Sequence, residues 1–166
     1  MDVWYRSDRV VVRRLERDDI GDEYLSWFRD PAVRSFIKFA AEPPSLEALR
    51  QYWAAKRADQ KVDFLGLFDG ASGGHLGNMK FELGPAAGEA HVGFLIGHPE
   101  SRRRGLLRET LPPCVAALRR ARGPLTVYLT VSPKNRDAIE AFRRLGFQQT
   151  SPHADGGDLR MEYRDG

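Results

Sequence analysis

The first part of the chain combines a short β-branched run with apolar residues at helical spacing. Val10 to Arg13 predicts a strand. Asp18 and Asp19 follow it and predict the cap of a helix, because acidic side chains accept hydrogen bonds from the free N–H groups of a first turn. One face of this helix carries Ile20, Tyr24, Leu25 and Phe28. Pro31 marks its expected end.

A second helix and three strands are predicted next. Pro43, Pro44 and Ser45 form a helix start signal, and the helix is expected to reach about Lys61. Its apolar residues at helical spacing are Leu46, Leu49 and Trp53. The strand-like runs are 63–68, 76–83 and 90–96, and glycine-rich turns separate them. This pattern predicts an antiparallel meander.

The third of these runs alternates between two sets of side chains. One set is Ala90, Val92, Phe94 and Ile96, and the other is His91, Gly93 and Leu95. Successive side chains of a strand point to opposite faces, so the two sets are expected on opposite sides of the sheet. His91 is therefore predicted to lie away from the apolar face.

A third helix is predicted after Gly105. Leu107, Leu111, Val115 and Leu118 recur at helical spacing in this stretch, which ends at Gly123 and Pro124. Pro112 and Pro113 lie inside it. An interior proline costs roughly 3 kcal/mol, because it removes a hydrogen bond and clashes with the preceding turn. We therefore expect a kink, or a helix that begins in two pieces.

The remaining pattern completes a mixed α/β (α+β) fold. A strand is predicted at 126–131, a short helix at 135–145 closed by Gly146, and strands at 147–150 and 159–164. The expected fold has a mixed central sheet of about seven strands flanked by about four helices. The 166 residues contain no internal repeat and no long linker, so one domain over residues 1–166 is expected.

Composition and charge narrow the class of protein. Hydrophobic residues make up 42% of the chain and charged residues 30%, which is typical of a soluble globular domain. The net charge of +3 permits an anionic ligand, but the arginines are interleaved with acidic residues, so nucleic acid is not an expected partner. The N-terminus has no leader pattern and no stretch approaches ~18 apolar residues, so no membrane partner and a cytoplasmic location are expected.

Cysteine and histidine usage argues against redox and metal chemistry. Cys114 is the single cysteine, so it forms no intramolecular disulfide. The Cys and His residues have no grouping with the spacing of a zinc site, and no metal is expected. The apolar helical setting of Cys114 predicts a buried thiol.

A loop rich in glycine and arginine joins the third strand-like run to the third helix. It reads Gly97-His98-Pro99-Glu100-Ser101-Arg102-Arg103-Arg104-Gly105. A loop that enters a helix N-terminus directs backbone N–H groups and the positive end of the helix dipole at one point, which suits a phosphate or pyrophosphate. The arginines add bidentate donors. A solvated basic turn is the alternative interpretation.

Two motifs and a strand pattern resemble the GNAT acyltransferase superfamily. The late motif N-x-x-A-I-x-x-Y-x-x-L-G-F fits at Asn135, Ala138, Ile139, Leu145, Gly146 and Phe147. The earlier motif R/Q-x-x-G-x-G/A fits at Arg102 and Gly105. The stretch from His91 to Gly97 is similar to the E-I/L-G-x-x-I-G stretch of the subgroup that includes ribosomal-protein N-terminal, polyamine and amino-sugar acetyltransferases. The resemblance covers roughly residues 76–147.

The resemblance implies a GNAT fold and acetyl-CoA or another acyl-CoA as the co-substrate. The residues it implies for donor binding are Phe94, Leu95, Ile96, Arg102, Arg103, Arg104, Gly105, Leu107, Asn135 and Phe142. Leu107 stands where the family has Gly or Ala, and a side chain there can obstruct the approach of a pyrophosphate to the backbone. Phe142 replaces a tyrosine that often acts as the general acid, and it can instead pack along the pantetheine.

The implied reaction is direct attack of an amine on the thioester, which requires a base. An amine with a pKa near 10 is mostly protonated at neutral pH. His91 occupies the position of the acidic residue in the resembling stretch, and it is our candidate catalytic residue. The alternative is a solvent-facing strand residue. His98 and His75 are further candidates.

The acceptor groove of this superfamily lies largely against the first two helices and their connection. The implied acceptor-binding residues are Tyr24, Trp27, Asp30 and Phe36. Aromatic faces can stack on a sugar or base, and Asp30 can hold an ammonium. The alternative is that Trp27 and Phe28 are core residues of an amphipathic helix.

The function that the resemblance implies is N-acyl transfer from acyl-CoA to a primary amine of a small molecule, such as an amino sugar, or of a protein N-terminus. The alternative is a non-catalytic GNAT-fold module that binds acyl-CoA or another anion. A nucleic-acid-binding domain is disfavoured, because the aromatic residues and arginines form no repeated stacking pattern. Members of the superfamily often dimerise through sheet edges, so the resemblance allows a homodimer that the sequence itself does not decide.

Overall fold

The described part of the chain contains four α-helices and eight strands. The computed structural model describes residues 2–31, 33, 43–102, 104–151 and 157–165. The elements in chain order are β1 (Val3–Arg6), β2 (Val10–Arg14), α1 (Asp22–Trp27), α2 (Leu46–Ala58), β3 (Val62–Asp69), β4 (His75–Leu83), β5 (Glu89–Ile96), α3 (Leu106–Arg122), β6 (Thr126–Val131), α4 (Arg136–Leu145), β7 (Phe147–Ser151) and β8 (Leu159–Tyr163). The hydrogen-bonded order of the strands is β1-β2-β3-β4-β5-β6-β8-β7. The predicted mixed α/β class is confirmed.

The strand that the sequence pattern missed is β1. Its four residues, Val-Trp-Tyr-Arg, do not alternate between apolar and polar side chains, and none of them is fully buried. Its ladder is antiparallel to β2, with Arg6 opposite Val11 and Val3 opposite Arg13. Pairing with a neighbour, and not its own pattern, makes this segment a strand.

The chain divides into two compact units. The first comprises Met1–Lys80 with Phe94–Leu106, and the second comprises Phe81–Gly93 with Leu107–Gly166. β4 and β5 each contribute residues to both units. The expectation of a single domain stays a prediction.

An aromatic cluster forms the core of the first unit. Its buried members are Leu15, Ile20, Tyr24, Trp27, Phe28, Val33, Leu49, Val62, Phe64, Phe68 and Leu95. α2 is fixed to this unit by two side-chain donors, since Trp53 Nε1 bonds the Leu15 carbonyl at 3.0 Å and Arg50 Nε bonds the Ile20 carbonyl at 3.1 Å. Ser45 caps α2 by accepting from the Ala48 N–H at 3.1 Å, so the predicted start is confirmed.

The predicted acidic cap of the first helix is wrong. Gly21 is the N-cap of α1, and the helix ends at Trp27, before Pro31. The Asp19 carboxylate instead accepts hydrogen bonds from both terminal guanidinium nitrogens of Arg13, at 2.7 and 2.9 Å. Burial acts to raise the pKa of Asp19, but the hydrogen bonds from Arg13 and from the Glu16 N–H outweigh it and hold the pKa low. The carboxylate that local spacing assigned to the cap of α1 is thus used by Arg13, six residues earlier, and by the Glu16 N–H at a 3₁₀ turn, Arg17–Asp19.

The alternation predicted for β5 holds for its first half only. Ala90 and Val92 are buried as expected, but the next buried side chain is Leu95, while Phe94 and Ile96 are half-buried. Leu95 belongs to the aromatic cluster of the first unit. The burial pattern therefore departs from strict alternation between residues 92 and 95. The expectation that Phe94 and Ile96 are buried together with Ala90 and Val92 is wrong.

α3 is one uninterrupted helix with both prolines inside it, and from Leu107 onwards it belongs to the second unit. The alternative of a helix that begins in two pieces is wrong, and the expected kink stays a prediction. Leu106, at the end of the first unit, is buried, whereas Leu107 is only half-buried. Cys114 is fully buried, as predicted, and burial raises the pKa of its thiol to about 12.

The C-terminal elements follow the predicted pattern. β6 runs parallel to β5, and β8 is antiparallel to both β6 and β7. Asn135 caps α4 by accepting from the Ala138 N–H at 3.1 Å, and Gly146 ends the helix with a φ of +110°. In the described ranges, no helix has the length and apolar character needed to cross a membrane.

Candidate functional site

The loop after β5 begins with a glycine because an indole ring lies against its backbone. A Cβ atom at Gly97 would lie 2.0 Å from Cε2 and 2.4 Å from Nε1 of Trp27. The Gly97 N–H donates to the Leu76 carbonyl at 2.8 Å, which fixes the end of β5 beside the start of β4. Any larger residue at this position would displace the indole or the strand end.

The rest of the loop leads into the N-terminus of α3. A 3₁₀ turn at Pro99–Ser101 buries Ser101, and Gly105 then adopts a φ of +72°. Apart from Gly105 itself and its two chain neighbours, no heavy atom of the described residues lies within 4 Å of a Cβ position at Gly105. The first N–H groups of a helix have no intrahelical acceptor. The backbone is therefore open at the point where α3 begins, which is the property that a phosphate site needs.

Arg102 links this loop to two other elements of the first unit. Its Nη2 donates to Asp30 Oδ2 at 3.2 Å, and its Nε donates to the Ile96 carbonyl at 3.2 Å. Asp30 lies just beyond α1, and Ile96 is the last residue of β5. The guanidinium is thus held at the carboxyl end of β5, and it pairs a predicted donor-binding residue with a predicted acceptor-binding one.

The other loop arginines have different positions. The Arg104 carbonyl accepts a hydrogen bond from the Arg9 guanidinium, and residue 104 is exposed. Arg103 lies outside the described residues. Arg102 is therefore the loop arginine whose guanidinium contacts are defined.

His98 forms an exposed pair with an acid of α1. Its Nε2 contacts Glu23 Oε1, and its ring lies edge-on to Trp27 with the centroids 6.2 Å apart. The two side chains are 31% and 56% exposed. This pair ties the loop to α1 a second time, next to the contact between Asp30 and Arg102.

A buried polar cluster lies behind the indole. His75 Nε2 faces Asn78 Oδ1 at 2.8 Å and the Gly77 carbonyl at 3.1 Å, and both are acceptors, so Nε2 carries the proton. The His75 ring stacks on Phe68 with centroids 4.7 Å apart, and its centroid lies 4.6 Å from that of Trp27. Burial lowers the pKa of His75, which keeps the ring neutral. A solvent-accessible base is not available here.

The acceptor-binding residues inferred from α1 are core residues. Tyr24 and Trp27 are 2% and 1% exposed, and Tyr24 packs edge-on against Trp27 at 5.0 Å. Stacking on an acceptor requires an exposed ring face, which neither has in this structure. Their burial fits the alternative interpretation, in which Trp27 and Phe28 are core residues of an amphipathic helix. Phe36 lies outside the described residues.

His91 is half-buried on β5, in the second unit. It is the direct partner of Tyr128 in the parallel ladder, and the two rings pack edge-on at 5.5 Å. The Arg160 guanidinium lies 4.0 Å from the Tyr128 ring centroid and bonds Glu89 at 2.8 Å and Glu162 at 3.1 Å. His91 thus adjoins a row of polar and aromatic side chains.

The remaining donor-binding candidates lie on the helices of the second unit. Asn135 is exposed, and its side-chain oxygen is used by the α4 cap. Phe142 is half-buried, with its ring centroid 6.1 Å from that of Phe147. Leu107 lies one residue after the buried Leu106, in the first turn of α3. Their roles in donor binding stay predictions.

Several partners at these positions were missed by sequence reasoning. The contacts of Asp30 with Arg102 and of Glu23 with His98 join residues 72 and 75 positions apart. Tyr128 and Arg160 were assigned to strands, without a role next to His91. The alternation of Tyr128 between buried Val127 and Leu129 signals only that it faces the other side of β6. Which strand neighbours β6 cannot be read from that alternation.

Comparisons with known proteins agree with this architecture. The family model described as an Acetyltransferase (GNAT) domain matches residues 9–148. No curated protein sequence matches the chain significantly.

The fold is similar to that of solved acetyltransferase structures. Spermidine N-acetyltransferase from Vibrio cholerae in complex with CoA and spermine is 16% identical, with a TM-score of 0.74 over 94% of this chain and 95% of that one. The acetyltransferase from Agrobacterium tumefaciens str. C58 is 20% identical, with a TM-score of 0.75 over 99% and 95%. The GNAT domain of S. lividans PAT is 22% identical, with a TM-score of 0.71 over 93% and 89%. The family match spans most of the 166 residues, and this chain belongs to the GNAT acetyltransferase family.

Proposed function

We propose that this chain is an acyl-CoA-dependent N-acyltransferase acting on a primary amine. The observation that carries the proposal is the strand, loop and helix unit from β5 to α3, where Arg102 and the open backbone at Gly105 lie in the order of the family motif. Such a unit gives a helix N-terminus, a flexible glycine and a bidentate cation for one anion. These residues fit the pyrophosphate of a nucleotide-linked donor.

The residues proposed to hold the donor are Arg102, Arg104, Gly105 and the backbone of β5 from Phe94 to Ile96. Bound acyl-CoA supplies an activated thioester and a thiol leaving group. The chain orients this thioester through backbone pairing along β5, and it holds the phosphates through the loop. We expect the Leu107 side chain to narrow the approach of a phosphate to the first turn of α3, so that the Arg102 side chain carries a larger share of phosphate recognition.

His91 is the proposed base. The acceptor ammonium, with a pKa near 10, must lose a proton before its nitrogen attacks. The half-buried imidazole takes this proton, directly or through one water. Phe142 cannot return a proton to the leaving group, but a thiolate with a pKa near 8.5 departs without one.

The proposed acceptor is a primary amine of a small molecule, such as an amino sugar, or of a protein N-terminus. The Vibrio cholerae relative was solved with spermine, so polyamines belong in the acceptor panel. A cytoplasmic location and a homodimer stay predictions.

Donor binding is tested by thermal denaturation of the full chain with acetyl-CoA, a longer acyl-CoA, free CoA and, as the matched control, 3′,5′-ADP. A ligand at 100 times its Kd stabilises the folded state by about 2.7 kcal/mol, or about 5–10 °C for a domain of this size. Absence of any shift with all three CoA compounds would overturn the donor assignment.

Turnover is tested by thiol release with spermidine, glucosamine and a peptide with a free N-terminus. One competing candidate is a GNAT-fold module that binds the donor without turnover, and it is favoured by Leu107, where the family has Gly or Ala, and by Phe142, where it often has a tyrosine. That module gives the thermal shift without thiol release, and its binding, like that of the enzyme, is indifferent to His91→Ala. Thiol release that requires both an acyl-CoA and an amine supports the enzyme.

A further inference from the structure

We propose that Asp30 positions Arg102 before the donor binds: its carboxylate holds the guanidinium at the end of β5, and a donor phosphate displaces that carboxylate from the guanidinium on binding. The inference rests on the proposed function, because it concerns the same donor. It changes the role of Asp30, which the sequence assigned to the acceptor. The new role acts through Arg102 and not through contact with the reacting atoms.

Two acceptors on different elements define the position of the guanidinium. Asp30 Oδ2 lies 3.2 Å from Nη2, and the Ile96 carbonyl lies 3.2 Å from Nε. Asp30 is itself fixed, because its N–H donates to the Trp27 carbonyl at 3.2 Å and the Trp27 indole packs on Gly97. The backbone of Asp30 is therefore held beside the loop, and in the proposed exchange it is the Arg102 guanidinium that moves.

The same guanidinium blocks a backbone acceptor that the donor is proposed to use. Ile96 is the last residue of β5, and its carbonyl is engaged by Arg102 Nε. A ligand that pairs with β5 needs that carbonyl, and a phosphate on the loop needs the guanidinium. If the Arg102 side chain moves away from Asp30 and from the Ile96 carbonyl, the carbonyl becomes available to the ligand and the guanidinium becomes available to the phosphate.

The exchange is easy because the present pair is solvated. The Arg102 and Asp30 side chains are 35% and 37% exposed, and ion pairs of this kind contribute little to stability because water competes for both partners. A phosphate offers the guanidinium a bidentate, more highly charged acceptor. Asp30 and the phosphate are like charges that compete for one cation, so the carboxylate weakens donor binding. Removing its charge should tighten donor binding, whereas loss of a purely structural contact would weaken it.

The experiment is calorimetric titration of the full chain with free CoA. The variants are Asp30→Asn, Arg102→Gln, the double variant, and Asp22→Asn as the matched control, because Asp22 is an exposed acid of α1 outside these contacts. We expect Asp30→Asn to lower the Kd of CoA by about threefold to fivefold, with Asp22→Asn within about twofold of wild type. In the Arg102→Gln background, Asp30→Asn should change the Kd no more than Asp22→Asn does.

The outcomes separate this inference from the proposed function. An unchanged or higher Kd for Asp30→Asn overturns the exchange, and so does an equal effect with and without Arg102. Asp30→Glu keeps the charge and should bind CoA like wild type, which covers the case in which Asp30→Asn is poorly folded. Wild-type protein that does not bind CoA at all overturns the proposed function, whereas binding that ignores Asp30 overturns this inference alone.

Discussion

At the scale of single residues, His91 carries the chemical part of the proposal. It lies half-buried next to Tyr128, and a general base contributes about 10²–10⁴-fold to a rate. We expect His91→Gln to lower kcat by about 10²-fold and to leave the Kd of CoA unchanged, because the loop contacts lie on other residues. Steady-state thiol release with the best acceptor measures the first quantity, and calorimetry measures the second. A kcat within a factor of two of wild type would identify His91 as a solvent-facing strand residue.

A second histidine, His75, makes stability depend on pH. It is 7% exposed, and burial lowers its pKa, so the folded chain keeps the ring neutral at a pH where the unfolded chain, with a pKa near 6.5, takes a proton. Protons therefore bind preferentially to the unfolded chain. The free energy of unfolding should fall as pH drops below about 6.5, by at most about 1.4 kcal/mol per pH unit from this group.

The measurement is urea denaturation between pH 7.5 and 5 for wild type and for His75→Gln. Glutamine keeps a donor for Asn78 Oδ1 and does not titrate. The variant should show a shallower loss of stability over this range, whatever its stability at pH 7.5. The pKa of Asp19 is held low in the folded chain, so protonation of this carboxylate further lowers the free energy of unfolding at more acidic pH. Parallel curves for the two proteins would exclude His75 as the titrating group.

At the scale of elements, α3 is unusual because it continues through two prolines. Pro112 is exposed within the helix, so its ring is not required for packing and its missing N–H leaves the Arg108 carbonyl without the usual partner. Pro112→Ala should stabilise the protein by about 1–2 kcal/mol, since the recovered helix energy exceeds the extra entropy of the unfolded chain. Denaturation midpoints measure the change. Pro124→Ala, outside the helix, is the control and should show no gain; an equal or lower stability for Pro112→Ala would contradict the expectation.

Elements also show where local pattern stops being informative. Ser45 and Asn135 were predicted to begin helices and do so, because a cap depends on residues within one turn. Asp19 was assigned to a cap by the same logic, but Arg13 takes its carboxylate. β1 has no alternation of its own, and the burial pattern of β5 breaks at Leu95, whose side chain belongs to the core cluster of the first unit. Caps are local, whereas strand faces depend on what the rest of the fold covers.

At the scale of the whole molecule, the class of fold follows from element order, and the family match covers residues 9–148, which extend over both compact units. The candidate site was less predictable. The loop was recognised from its residues, but the pair of Arg102 with Asp30 joins positions 72 apart, and the burial of Trp27 depends on Gly97 and His75. Amphipathic spacing identifies the inward face of a helix without stating whether a ligand or a core covers it.

Charge distribution over the whole chain leads to the last prediction. The 26 basic residues are offset by 23 acidic ones, and many are paired, as in the contacts of Arg13 with Asp19 and of Arg160 with Glu89. A long polyanion should therefore find no continuous basic surface, whereas CoA needs only the loop and the N-terminus of α3.

We expect labelled DNA of about 20 base pairs to show no saturable binding below about 1 µM at about 150 mM salt, because non-specific affinities at such salt are 10⁻⁴–10⁻⁶ M even for proteins with basic patches. CoA binding should survive the same salt and weaken by less than about tenfold between about 50 and 200 mM, because it neutralises few charges. Fluorescence anisotropy and calorimetry on one preparation measure both. Submicromolar DNA binding with a steep salt dependence would instead reveal a basic surface, and the loop arginines would then have to be tested as part of it.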